Sequence, residues 1–138
     1  MTNESLARSY LRKASDRLGV LELLLEKEAY SDVVREAQEI VELSLKGMLR
    51  AIGIEPPKLH DVGGLLHEHR ERFTTEIADE VGDLSLISME LRKERELAFY
   101  GDVDFIPTDE YSLADAEKAK VGAEKAVRAA QRVIDPGK

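Results

Sequence analysis

A chain of 138 residues with 43% hydrophobic and 35% charged side chains has the balance of one globular domain and not of a disordered segment. Its net charge of −8 argues against a general, charge-driven nucleic-acid binder but leaves room for a local basic cleft or a basic protein partner. With no cysteine, disulfide and thiolate chemistry are excluded, and a reducing cytoplasm is the expected setting.

The first helix is expected over residues 4–28, with Asn3 or Thr2 as its cap and Glu4 in the first turn, where the helix dipole favours an acid. Ala7, Tyr10, Ala14, Leu18, Leu21 and Leu25 form its apolar stripe. The run from Gly19 to Leu25, broken by Glu22, is far too short to span a membrane. The opening residues lack the order of a secretory signal.

The second helix is the longest amphipathic stretch. Tyr30, Val33, Val34, Ala37, Ile40, Val41, Leu45, Met48, Leu49 and Ile52 keep helical spacing for about six turns. Asp32, Arg35, Glu36, Glu39, Glu42 and Lys46 sit mostly off the stripe, and Lys46 lies four residues after Glu42, a favourable helical pair. Gly53 supplies a left-handed C-cap, and Pro56-Pro57 forbids an early restart. His60 follows this corner and reads as structural, a cap or hydrogen-bond partner for the long helix.

Asp61 is placed to cap a short third helix over residues 62–71, which Gly63-Gly64 weakens unless another backbone packs close. Thr74 or Thr75 starts a fourth helix over residues 75–100. Its seam reads Ile77, Val81, Leu84, Ser88, Leu91, Arg95 and Ala98, so Arg95 continues an apolar line where an unpaired charge is costly. From Gly101 to Tyr111 the chain is acidic and rich in turn formers, and Pro107 argues for a loop without helix. Ser112 and Asp115 have the form of a capping box for a last helix over residues 113–134. Ala116, Ala119, Ala123, Ala126 and Ala130 give that helix a face of small residues, open to close approach. The result is all-α: a single domain over residues 1–138, folded as an antiparallel up-and-down bundle of four long helices and one short one.

The order Ala29-Tyr30-Ser31-Asp32, Glu36-Ala37-Gln38, Glu42-Leu43-Ser44-Leu45-Lys46, Gly53 and His60-Asp61 resembles the first half of a HEPN domain (higher eukaryotes and prokaryotes nucleotide-binding). Val33 and Ile40 stand where that family's pattern has small residues, and the similarity continues at 91–101 and 111–126. The resemblance implies a helical bundle that dimerises, often beside a minimal nucleotidyltransferase. It also implies either a metal-independent ribonuclease or toxin, or a member that has lost the chemistry and binds or scaffolds.

In catalytic members an Arg is followed, after four to six residues, by a His. The Arg fork holds a phosphate or its developing charge, and the His moves a proton. Here Arg95 matches the Arg, but Tyr100 stands after four intervening residues, and His60, His67 and His69 all lie upstream. A tyrosine with an unperturbed pKa of about 10 is a poor proton shuttle at neutral pH, yet it can donate a hydrogen bond and stack on a base. Arg92, Arg95, Tyr100 and Asp102 are the candidate ligand-binding residues, and Arg95 with Tyr100 the candidate catalytic pair. Bland readings stand beside these: Arg95 as an ion pair with a nearby acid, Tyr100 as a helix-end aromatic packed on Phe99. His67 and His69 point about 200° apart on a helix and read as surface residues, so no metal set and no cofactor is implied.

Three functions follow. The first is a HEPN-type homodimer that binds nucleotide, RNA or a nucleotidyltransferase partner in a toxin–antitoxin-like or stress module, without ordinary ribonuclease activity. The second is a metal-independent endoribonuclease in which Tyr100, or a residue of another subunit, replaces the His. The third is a purely structural dimerisation module.

Overall fold

The computed structural model describes residues 3–137, and the cap expected of Thr2 lies outside them. The described chain is largely helical: α1 Asn3–Glu26, α2 Tyr30–Ala51, α3 Gly63–Glu68, α4 Thr75–Phe99, α5 Pro107–Glu110 and α6 Leu113–Ile134, with a 3-10 turn at Arg70–Arg72. The four long helices form the antiparallel bundle, and α2 is its central member, packed against α1, α4 and α6. The apolar stripe of α2 is the reason: Val33, Ala37, Ile40, Val41, Leu45, Met48 and Leu49 are all buried. No described helix is long and apolar enough to cross a membrane.

The helix ends follow from local chemistry. Gly53 takes a φ of +85°. This lets the Gly53 N–H reach the Arg50 carbonyl at 3.0 Å and the Ile54 N–H the Leu49 carbonyl at 2.9 Å, which closes the last turn of α2. Thr74 caps α4 through its side chain, and Ser112 with Asp115 forms a full capping box on α6. Asn3, in contrast, accepts a hydrogen bond from Arg50 at 2.8 Å.

Two expectations are corrected. Pro107 does not exclude a helix from the 101–111 stretch. It opens the one-turn α5, because a first-turn residue has no intrahelical N–H bond to lose. The third helix is shorter than expected, ending at Glu68 before the 3-10 turn, and its N-cap is Val62; Asp61 instead accepts from the Gly63 N–H at 3.0 Å. Gly63 is there because of close approach: a Cβ on it would lie 2.8 Å from the Ser85 Cα of α4.

Candidate functional site

Arg95 sits where its place in the seam puts it. Ile77, Val81, Leu84, Ser88, Leu91 and Ala98 are the other buried residues of α4, and Arg95 is only 8% exposed among them. A buried guanidinium must find partners. One Nη donates to Oε1 of Gln38 on α2, and the other lies 3.6 Å from Glu39. Gln38 is itself buried, and its Nε2 donates to Glu42 at 3.1 Å and to the His60 carbonyl at 3.3 Å. Both N–H groups of the amide are thus used on acceptors, which turns its oxygen towards Arg95.

Glu42 is the hub behind this contact. It takes Lys46 Nζ at 2.8 Å and His60 Nδ1 at 2.9 Å. Burial pushes its carboxyl up, but the hydrogen bonds from Lys46, His60 and Gln38 together outweigh it and hold the group below the usual carboxylate value. One polar network therefore runs from the 53–62 corner through α2 to Arg95.

The other candidates lie apart from it. Arg92 donates to Glu96 at 2.7 Å on the exposed side of α4, which holds the Glu96 carboxyl below its ordinary value. Tyr100 is 73% exposed and meets Phe99 edge-on at 4.8 Å between ring centroids. Asp102 belongs to a turn: its carboxylate accepts from the Val103 N–H at 2.7 Å, and its backbone pairs with Phe105. Gly101 is required there, since at a φ of +67° a Cβ would fall 2.4 Å from the Phe105 carbonyl. No described hydrogen bond or ion pair joins any two of Arg92, Arg95, Tyr100 and Asp102. His67 is exposed and pairs with Arg70, away from this end of α4.

Arg35 lies off the apolar stripe of α2, and taken alone its position in the sequence marks no role for it. It crosses from α2 to donate to the Arg95 carbonyl at 3.3 Å, and its guanidinium lies 4.7 Å from the centroid of the Phe99 ring. The clue was spacing: Arg35, Gln38, Glu39, Glu42 and Lys46 recur at three- and four-residue steps along one edge of α2. A separate groove of about 610 Å³ between α4 and α6 includes Lys93 and Glu94 but none of the four candidates. Lys118–Glu90 at 3.3 Å and Lys125–Asp83 at 2.8 Å link α6 to α4 along it.

A family model for the HEPN domain matches residues 7–138. The chain belongs to the HEPN domain family. No curated protein and no solved structure gives a match. In this HEPN domain Tyr100, which the resemblance sets against the motif histidine, is the C-cap of α4.

Proposed function

We propose that this HEPN protein binds a nucleotide or RNA at the α2–α4 end of the bundle, without the ordinary ribonuclease chemistry of the family. The carrying observation is the state of the motif. Arg95 is buried against Gln38 and Glu39, and the Tyr100 that stands for the histidine is out in solvent. A guanidinium held by a carboxamide and a carboxylate is poorly placed to stabilise a developing phosphoryl charge. What faces solvent is an aromatic pair beside cationic groups, which suits binding of a base and its phosphate. The protein acts as a cytoplasmic homodimer in a toxin–antitoxin-like or stress module, with a minimal nucleotidyltransferase as the companion protein. The test is filter binding and gel analysis of an RNA pool with chelator present. RNA retained and uncut is the expected result, and chelator-resistant cleavage refutes the reading.

One observation favours the enzyme alternative in a different form. The His60 ring is oriented by Glu42, the arrangement used to position a general base, and Gln38, which donates to Glu42 and to the His60 backbone carbonyl, accepts from Arg95. Under that reading cleavage disappears in both His60→Ala and Arg95→Ala and survives in Tyr100→Phe.

A further inference from the structure

Three arginines gather at the α2–α4 end, and two of them are already matched by acids. Arg92 holds Glu96 at 2.7 Å. Arg95 faces Glu39 at 3.6 Å and bonds Gln38. Glu39 is also the acid one turn along α2 from Arg35, so its commitment to Arg95 leaves Arg35 without a carboxylate within ion-pair distance among the described residues. The contacts of Arg35 are a backbone carbonyl and the Phe99 ring. A neutral carbonyl does not cancel a guanidinium charge, and one N–H given to it leaves the rest of the fork open. Beside it, Phe99 is half exposed and Tyr100 is 73% exposed. Tyr100 meets Phe99 by an edge, in a perpendicular arrangement, so its ring is not stacked on its neighbour.

We propose that the phosphate contact in this protein has passed from the motif arginine on α4 to Arg35 on α2, with Tyr100 as the platform for the adjacent base. This deepens the nucleotide- or RNA-binding reading and rests on it. The ligand class is a phosphate with a neighbouring exposed base, as in single-stranded RNA or a nucleoside phosphate. Arg35 meets the phosphate through its fork, while its place over the Phe99 ring restrains the guanidinium. Arg95 stays behind as the residue whose backbone carbonyl positions Arg35.

The test is fluorescence anisotropy of an end-labelled single-stranded polyadenylate RNA over a range of salt, with unlabelled ADP as competitor. Arg35→Gln is expected to weaken binding about tenfold and to lower the salt slope by about 0.7, the value for one single-strand phosphate contact. Tyr100→Ala is expected to weaken binding about tenfold with the slope unchanged, since stacking releases no counterion. Arg95→Gln frees Glu39 to pair with Arg35 and is expected to weaken binding, but by less than Arg35→Gln does, and Arg35→Lys is expected to keep the slope while losing affinity. Thermal unfolding of each variant separates lost binding from lost fold. Competition by ADP assigns the site to a mononucleotide, and failure of ADP to compete assigns it to a strand. RNA binding unaffected by Arg35→Gln, or reduced more by Arg95→Gln, overturns the inference and leaves the binding reading standing. No binding by the unaltered protein overturns both.

Discussion

Gln38 accepts a hydrogen bond from the guanidinium of Arg95 across the α2–α4 interface. The acceptor's own amide is fixed from behind by Glu42 and the His60 carbonyl, so the contact has no slack on the α2 side. Replacing Gln38 by Leu removes a hydrogen bond to a charged, buried donor, and a loss of about 2 kcal/mol in urea unfolding is expected. Arg95→Leu alone is expected to cost a similar amount, by leaving Gln38 unsatisfied. The double variant is expected to lose less than the two losses together, with a coupling of about 1–2 kcal/mol. Strict additivity would mean that the pair contributes nothing as a pair.

Glu42 gives the fold an acid dependence. Its folded carboxyl titrates below the ordinary value, about 4.3 in an unfolded chain, because three donors outweigh its burial. A depressed carboxylate contributes stability that is present above the unfolded value and is lost as pH falls through the folded one. Urea midpoints of the unaltered protein should therefore fall below roughly pH 4.3, and those of Glu42→Gln should fall less steeply. Parallel acid limbs for the two proteins would refute this.

Gly63 and Gly64 are neighbours with opposite tolerances. A methyl group on Gly63 meets the α4 backbone at Ser85, whereas one on Gly64 meets nothing within 4 Å. Gly63→Ala should destabilise by about 1–3 kcal/mol through overpacking. Gly64→Ala, within α3, should be neutral or stabilise by up to about 1 kcal/mol through helix propensity. Equal thermal shifts in the two variants would show that α3 does not dock as described.

Ser112 accepts from the Asp115 N–H at 3.2 Å while the Asp115 carboxylate takes the Ser112 N–H at 2.9 Å. Ser112→Ala should cost about 1 kcal/mol, measured by chemical denaturation, with Ser112→Asp largely restoring it. A full-strength fold in Ser112→Ala would mean that α6 is held by its packing on the other helices and not by its cap.

Periodicity carried most of the architecture. The ten apolar positions from Tyr30 to Ile52 could be satisfied only by a helix buried on one broad face, and Gly53, Thr74 and Ser112 marked ends whose chemistry is local. Order and spacing along α2 also carried the HEPN resemblance. Even the oddity of Arg95 was legible, because a charge in an apolar seam announces itself by its register. Its partners were not, since Gln38 and Glu39 lie on another helix and a hydrogen bond between helices leaves no trace in either helix's own period. The same holds for Arg35. Read alone, it is one charge off an apolar stripe; only the packing of α2 on α4 commits Glu39 to Arg95 and leaves Arg35 over Phe99 without an acid. The sequence by itself determined the helices, because helix formation depends on neighbours in the chain. Tertiary structure decided which arginine is neutralised, because charge compensation depends on neighbours in space.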